Sequence, residues 1–203
     1  MGNAVQKPAI ILASSSAIRR QIMDEAGLDY SVIVKPVDEA AIKAGMLAEG
    51  SLPRDIADAL AEAKSRRVSL ANPGLVIGAD QIMVMDGEIF DKPVSMEAAR
   101  ERLLLMRGRT HHLIGAVVIC ENGHPVWRHI SKTTLTLRDF SEEFLDDYLS
   151  AEGDIILKSV GAYRFEGRGA QLFSYVDGDF FSILGLSLLP VLDYLRERGA
   201  VLA

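Results

Sequence analysis

The chain has 203 residues, of which 49% are hydrophobic and 25% charged, the composition of an ordinary globular protein. Its formal net charge of −6 excludes a general nucleic-acid-binding surface, so we expect no nucleic-acid polymer as partner and only local basic clusters as anion sites. The single cysteine, Cys120, excludes an internal disulfide and favours a cytoplasmic location. Residues 1–8 are too polar for a signal peptide and are predicted to be a flexible N-terminus, and no apolar run is long enough for a membrane span.

The first half of the chain alternates predicted strands and helices. Residues 9–13 are apolar and predict a short buried strand, which a serine turn joins to a helix from about Ala17 to Ala26, ended by Gly27. The elements predicted next are a strand at 30–34, a helix from Ser51 and Pro53 to about Val68, strands at 75–85 and 88–90 joined by an Asp86-Gly87 turn, and a helix from Ser95 to about Arg107.

The second half continues this alternation. Its predicted elements are strands at 112–120 and 126–137 around an Asn122-Gly123 turn, a helix from Ser141 to Gly153, strands near 161–165 and 171–176, and a helix at about 187–198 with Pro190 in its first turn. Because hairpins are interleaved with helices, the pattern predicts an α/β fold with a mixed sheet flanked by helices. We expect one domain over residues 1–203.

The segment ILASSSAIRR (11–20) places three hydroxyls and two guanidinium groups where a helix begins. Free backbone N–H groups and the helix dipole make such a turn an anion site, to which Ser14 and Ser16 would add hydroxyl donors and Arg19 a bidentate fork. The alternative is that the serines only cap the helix and the arginines are solvated. The segment alone leaves both interpretations open.

A second segment, VIGADQIMVMDGEIFDKP (76–93), carries a carboxylate inside an apolar strand. An uncompensated Asp80 would be costly there, so the pattern indicates a cationic partner, a metal or a catalytic role. Lys92, just beyond the hairpin, is one candidate partner. The alternative is an exposed aspartate at the end of a strand.

The remaining candidates are weak when taken one at a time. Glu39 and Lys64 are charged residues of the kind that usually lie on a solvated face. In the glycine-rich segment from Gly161 onward, Glu166 is the polar residue singled out as a candidate. His111 and His112 are consecutive on a predicted strand and therefore point to opposite faces, which excludes joint chelation. Cys120 is interpreted as a small buried residue rather than a nucleophile.

Taken together, these segments resemble the Maf family of nucleoside triphosphate pyrophosphatases from about residue 9 to 199. The family patterns LASxSPRR, VDE, ExK, GAD…DG…KP, GRxH and GAY…G…GD…GL correspond to LASSSAIRR at 12–20, VDE at 37–39, EAK at 62–64, GAD at 78–80 with Asp86-Gly87 and Lys92-Pro93, GRTH at 108–111, and the segment 161–186. The order and spacing of so many short motifs make the resemblance specific.

The resemblance implies a Maf/ITPase-like fold with a nucleotide cleft, commonly dimeric, that hydrolyses a nucleoside triphosphate to the monophosphate and pyrophosphate with Mg²⁺ or Mn²⁺. Carried over by position, Asp80 would be the general base for water attack at the α-phosphorus. The residues implied at the phosphate and metal site are Ser14, Arg19, Lys64 and Lys92 for phosphate and Glu39 with Asp80 for the metal.

Three positions depart from the commonest, pyrimidine-directed form of the family: Ile18, Gln81 and Glu166 replace Arg, Thr and Gln. Gln81 and Glu166 are similar to the family branch that prefers 7-methyl-GTP. A carboxylate only accepts hydrogen bonds, which suits the adjacent N1–H and N2–H₂ donors of guanine, and methylation at N7 makes the base cationic. Ile18 would present an apolar surface to the ring instead of a repelling cation.

Two other functions stay open at this point. One is dTTP or UTP hydrolysis by the same family, and the other is a non-catalytic nucleotide-binding regulator of septum formation. A kinetic panel of nucleotides distinguishes the first from 7-methyl-GTP hydrolysis, and release of pyrophosphate distinguishes an enzyme from a regulator.

Overall fold

A computed structural model describes residues 7–202, so residues 1–6 of the predicted flexible N-terminus lie outside the described part. Seven strands form one sheet, namely β1 (Ile10–Leu12), β2 (Ser31–Val32), β3 (Leu75–Met85), β4 (Glu88–Phe90), β5 (Thr110–Glu121), β6 (His124–Leu137) and β7 (Phe173–Asp177). Their order in the sheet is β2-β1-β3-β5-β6-β7, with β4 paired to β3. β1 pairs in parallel with β2 and β3, whereas β3–β4 and β6–β7 are antiparallel, which confirms the predicted mixed sheet.

The described residues also form seven α-helices and two short 3₁₀ segments. The helices are α1 (Ala17–Glu25), α2 (Glu39–Ala48), α3 (Pro53–Ser69), α4 (Met96–Met106), α5 (Glu142–Glu152), α6 (Phe180–Leu184) and α7 (Leu188–Glu197), and the 3₁₀ segments are Gly153–Lys158 and Arg168–Leu172. No helix of this part of the chain has the length and hydrophobicity needed to cross a membrane. The combination of a mixed sheet with seven helices confirms the predicted α/β class.

The chain divides into two compact units. The first comprises Met1–Gln81, Gly115–Ser131 and Gly185–Ala203, and the second Ile82–Ile114 and Lys132–Leu184. β3, β5 and β6 each contribute residues to both units, so the boundary does not coincide with a linker. The expectation of one domain over residues 1–203 stays a prediction.

Each unit has its own buried apolar residues. In the first, β1 is fully buried and continues into a cluster of Ile11, Ala13, Val68 and Val76. In the second, a larger cluster includes Leu103 of α4, Leu135 of β6 and Tyr148 of α5. α4 and α5 begin at the predicted serine caps, since Ser95 accepts from Ala98 N and Ser141 from Phe144 N.

Both predicted hairpin turns are confirmed by their backbone angles. Asp86 and Gly87 have φ of 52° and 86°, and Asn122 and Gly123 have φ of 52° and 80°. Two successive positive φ angles are the requirement of a type I′ turn, and Asp, Asn and Gly tolerate them best. The two dipeptides therefore connect β3 to β4 and β5 to β6 as the sequence predicts.

The strand predicted near 161–165 is wrong. This segment is a turn in which Ala162 has φ of 57°, and a Cβ at Gly161 would collide with the ring of Tyr163. A strand needs extended backbone at every residue, and a left-handed residue interrupts it. The prediction also missed α2, α6 and the two 3₁₀ segments, whereas the strand predicted at 171–176 corresponds to β7.

A buried histidine lies in the second unit. His111 of β5 is 0% exposed and its Nε2 lies 2.8 Å from Tyr163 Oη, while its Nδ1 has no hydrogen-bond partner among the described residues. Burial, aided by the charge of His112, lowers the pKa of His111 from 6.5 to about 4. The imidazole is therefore neutral in the folded protein at neutral pH.

This shift predicts a pH dependence of folding. Between about pH 4 and 6.5 the unfolded chain binds the His111 proton and the folded chain does not, so the free energy of unfolding rises with pH across this range. The contribution is complete above the unfolded pKa and is lost as the pH falls toward 4, a change of up to about 3 kcal/mol. Urea unfolding of wild type and His111→Gln at several pH values measures it, because glutamine can still bond Tyr163.

The matched control is His124→Gln, which removes an exposed histidine from the start of β6. The control should retain the wild-type slope across the range, whereas His111→Gln should flatten it. Equal slopes for wild type and His111→Gln would show that His111 is not held neutral.

Candidate active site

The turn between β1 and α1 contains two of the predicted site serines, Ser14 and Ser16. β1 extends through Ala13, whose N donates to Ile77 O at 2.8 Å, and the chain then turns. Ser16 is the N-cap of α1 and accepts from Arg19 N, and Ser14 Oγ accepts from Ser16 N at 3.3 Å. The serines thus stabilise the helix start, as the capping interpretation predicts, and Ser14 is 6% exposed.

The two adjacent arginines of this turn have different environments. Arg20 is exposed and donates only weakly, to Ser15 O at 3.4 Å. Arg19 is partly buried and donates from Nε to Gly185 O and from Nη1 to Ala79 O, both at 2.8 Å, and from Nη1 to Ser14 Oγ at 3.2 Å. Arg19 therefore joins the turn to β3 and to the segment before α7.

Arg19 also belongs to a charged cluster. Burial lowers the pKa of its guanidinium, while the charges of Asp80 and Glu39 act in the opposite direction. A cation in the first turn of a helix is unfavourable next to the positive end of the helix dipole. The negative charges of Asp80 and Glu39 compensate for this at Arg19. Whether it also contacts phosphate stays a prediction.

Contact between α3 and β3 depends on Gly78. A Cβ at this position would collide with Ala61 O and would lie 2.8 Å from Ser65 N, both on α3. Glycine therefore permits the helix to lie directly on the strand. The approach places Lys64 of α3 against Asp80, two residues beyond Gly78 on β3.

Three predicted residues meet at one ammonium group. Lys64 Nζ donates to Asp80 Oδ1 at 2.7 Å and lies 2.8 Å from Glu39 Oε2. The Asp80 and Lys64 side chains are 13% and 16% exposed, whereas that of Glu39 is 52% exposed. The cation that the structure places on Asp80 is thus Lys64 and not the predicted hairpin residue Lys92, and the three groups together carry one net negative charge.

Glu39 reaches this cluster from α2, which the sequence prediction missed. Asp38 is the N-cap of α2 and accepts from Ala41 N at 2.9 Å, and Glu39 is its first residue. An aspartate followed by a glutamate is a recognisable helix start, because the side chain caps the free N–H groups and the acid favours the dipole. This signal, present at residues 38–39, could have predicted α2.

Glu39 and Asp80 offer carboxylate oxygens, the type of ligand that Mg²⁺ prefers. Both contact the same ammonium, so the two carboxylate groups lie next to each other. Mg²⁺ is commonly bound through one or two protein carboxylates, with its other ligands from phosphate and water. Across residues 7–202 no cluster of three or more His, Cys, Asp and Glu side chains could hold a metal by itself, so these two would need such additional ligands.

The predicted specificity residues are distributed over both units. Gln81 follows Asp80 on β3, and a Cβ at Gly185 would lie 3.7 Å from its Oε1 and 3.5 Å from Arg19 Nη2, so both side chains border one glycine. Ile18 is partly buried on α1. These residues belong to the first unit, as do Ser14, Arg19, Glu39, Lys64 and Asp80.

Lys92 and Glu166 belong to the second unit. Lys92 is exposed in the segment after β4. Glu166 follows the 161–165 turn, and its Oε1 accepts from Arg164 Nε at 3.1 Å. Arg164 was not among the predicted site residues, and the sequence carries no signal for it beyond its position two residues before Glu166.

The sequence is similar to known proteins over nearly its whole length. Residues 9–198 match the family model described as Maf-like protein. The chain is 48% identical over 192 residues to a nucleoside triphosphate pyrophosphatase of Caulobacter vibrioides, covering 95% of this chain and 96% of that one. It is 50% identical over 190 residues to one of Paramagnetospirillum magneticum (93% and 98%), and 46% over 193 residues to the 7-methyl-GTP pyrophosphatase of Brucella suis (95% and 97%).

The contact at Gly78 yields a stability prediction. Gly78→Ala should lower the free energy of unfolding by about 1–3 kcal/mol, because the added methyl forces α3 away from β3. Urea unfolding measures the change. The control is Gly45→Ala in α2, where a Cβ meets nothing within 4 Å and alanine should stabilise by up to about 1 kcal/mol. Equal stabilities of Gly78→Ala and wild type would contradict the close approach.

Proposed function

The chain belongs to the Maf family, and on that premise we propose that it hydrolyses 7-methyl-GTP to 7-methyl-GMP and pyrophosphate. The coarser activity, nucleoside triphosphate pyrophosphatase, is that of the family and of its relatives. The observation that carries the catalytic part is the Glu39–Lys64–Asp80 cluster. The choice of base rests on Ile18, Gln81 and Glu166.

Asp80 is the proposed general base. Lys64 holds its Oδ1, so Oδ2 is the oxygen left to orient a water and take its proton. The water oxygen would bond to the α-phosphorus as the bond to the bridging oxygen breaks, and the electron pair of that bond would leave with pyrophosphate. The positive charge of Lys64 offsets the free-energy cost of partly burying the Asp80 carboxylate.

Three cations are proposed to balance the charge of the polyphosphate: Lys64 and Arg19, which lie near Asp80 in the first unit, and Lys92, which belongs to the second unit. Lys64, Arg19 and Lys92 provide local positive charge in a protein whose net charge is −6. Ser14 would add a hydroxyl at the start of α1, where the helix dipole already favours anions. A divalent Mg²⁺ or Mn²⁺ ion held by Glu39 and Asp80 would, when bound, neutralise phosphate charge.

Glu166 and Ile18 have side chains whose chemistry favours a methylated guanine base. Glu166 offers only acceptors, which match the adjacent N1–H and N2–H₂ donors of guanine, and its charge attracts a base made cationic by N7 methylation. Ile18 offers apolar surface to a ring, where an arginine would repel such a base. The name of the relative from Brucella suis supports the same substrate.

The competing proposals are dTTP or UTP hydrolysis and nucleotide binding without catalysis. Relatives named only as nucleoside triphosphate pyrophosphatases, at 48% and 50% identity, are as similar to this chain as the one named for 7-methyl-GTP. Overall similarity therefore does not choose the base. The homodimer and the cytoplasmic location stay predictions.

The catalytic role of Asp80 yields the first activity prediction. Asp80→Asn keeps the shape of the side chain but removes the base, so kcat should fall roughly 10²–10⁴-fold. Release of pyrophosphate from 7-methyl-GTP, measured with a coupled colorimetric assay, reports the change. Circular dichroism and the melting temperature establish that the variant is folded.

Asp86→Asn is the matched control, because it makes the same chemical change in the exposed β3–β4 turn, where asparagine also tolerates positive φ. This control should retain wild-type kcat. A folded Asp80→Asn protein with kcat close to wild type would refute the assignment of the base.

The substrate proposal predicts an order of kcat/KM in which 7-methyl-GTP exceeds GTP, dTTP and UTP. The panel is run with Mg²⁺, with Mn²⁺ and with chelator, and the products are separated to distinguish pyrophosphate from orthophosphate. Activity should disappear with chelator, and Glu166→Gln should lower the preference for 7-methyl-GTP over UTP, because an amide also donates. Faster turnover of dTTP or UTP by the wild type would refute the proposed substrate, and binding without pyrophosphate release would favour the regulator.

A further inference from the structure

Three charged side chains of the second unit form a chain of ion pairs. Arg164 donates from Nε to Glu166 Oε1 at 3.1 Å and from Nη1 to Glu152 Oε2 at 3.2 Å. The Glu152 side chain, at the end of α5, is 6% exposed, that of Glu166 is 19% and that of Arg164 is 36%. One guanidinium therefore connects a buried carboxylate to the one proposed to contact the base.

The backbone holds Arg164 firmly in this position. The preceding Tyr163 is buried and bonded to His111, and Gly167 N donates to Arg164 O at 3.2 Å. A Cβ at Gly169 would collide with Arg164 O, so the turn after Arg164 folds directly onto its carbonyl. The guanidinium is therefore attached to a restrained backbone segment. Its Nη1 contact with Glu152 fixes its direction, and its Nε contact then orients one oxygen of the Glu166 carboxylate.

The charges of the three groups do not cancel. Two carboxylates and one guanidinium leave one net negative charge. Burial acts to lower the pKa of Arg164, but the hydrogen bonds and charges of Glu166 and Glu152 outweigh it and raise the pKa. Without Glu152, Arg164 would neutralise Glu166, and the remaining pair would have no net charge to attract a cation.

We propose that Arg164 and Glu152 are positioning residues for base selection: Arg164 orients the Glu166 carboxylate by holding one oxygen, and Glu152 offsets the charge of Arg164. With both contacts made, the Glu166 carboxylate is oriented, and the three groups together still carry one net negative charge. Such a group distinguishes a cationic purine from a neutral one of the same shape. The inference rests on the proposed function, in which Glu166 contacts the base.

Glu152→Gln is the decisive variant, because the amide oxygen can still accept from Arg164 while the charge is lost. The preference for 7-methyl-GTP over GTP, measured as the ratio of kcat/KM values, should fall about three- to fivefold. Activity on neutral GTP should change little. A purely structural role for Glu152 would alter both substrates alike and leave the ratio unchanged.

Asp147→Asn is the matched control. Asp147 lies on the same helix and pairs with Arg168, so its substitution also removes one carboxylate from α5 but leaves Arg164 in contact with both partners. The selectivity ratio of this control should equal that of the wild type. A decrease as large as that of Glu152→Gln would attribute the effect to the overall charge of the unit and overturn the proposal.

Arg164→Lys tests orientation separately from charge. A lysine keeps the positive charge but lacks the planar fork that reaches both carboxylates, so Glu166 loses its fixed direction. KM for 7-methyl-GTP and for GTP should rise about three- to tenfold with kcat nearly unchanged. Unchanged KM values would overturn the orienting role, whether or not Glu152→Gln folds.

The two levels of the proposal fail in different ways. If the wild type prefers dTTP or UTP, the proposed substrate is wrong and this inference is wrong with it. If the wild type prefers 7-methyl-GTP but folded Glu152→Gln retains its full preference over GTP, only the role assigned to Glu152 and Arg164 is overturned. Melting temperatures of all variants are measured alongside.

Discussion

The ammonium of Lys64 between the carboxylates of Glu39 and Asp80 is the interaction on which the proposed site depends. Partly buried charges are tolerated only when they are paired, and each of these groups supplies the compensation for another. The arrangement requires α3 to lie directly on β3, which the missing side chain of Gly78 permits. One glycine thus permits the close approach that brings Lys64 to Asp80.

In each unit an arginine connects two other residues, but the kind of partner differs. In the first unit Arg19 bonds backbone carbonyls at Ala79 and Gly185, which ties a turn near the N-terminus to two distant segments. In the second unit Arg164 bonds two carboxylates. The planar guanidinium serves both purposes because its several donors have a fixed geometry, so one side chain can connect two partners at once.

Most of the fold was predictable because its signals are local. The Asp86-Gly87 turn and the Ser95 and Ser141 caps act on their immediate neighbours, and the structure confirms each of them. The failures have equally physical causes. The 161–165 segment is interrupted by a left-handed Ala162, which no propensity favours, and α2 has no fully buried residue, so its apolar pattern was weak.

By itself the sequence determined the fold class, the family resemblance and the set of side chains able to carry the chemistry, because motif order and short-range pattern are written along the chain. Only the tertiary structure decided which of them meet. It placed Lys64, rather than Lys92, on Asp80, and it joined Arg164 to Glu152 and Glu166. Lys64 and Asp80 are 16 residues apart in the chain and Glu152 and Arg164 are 12 apart, and such ion pairs form only because folding brings the residues within a few ångströms.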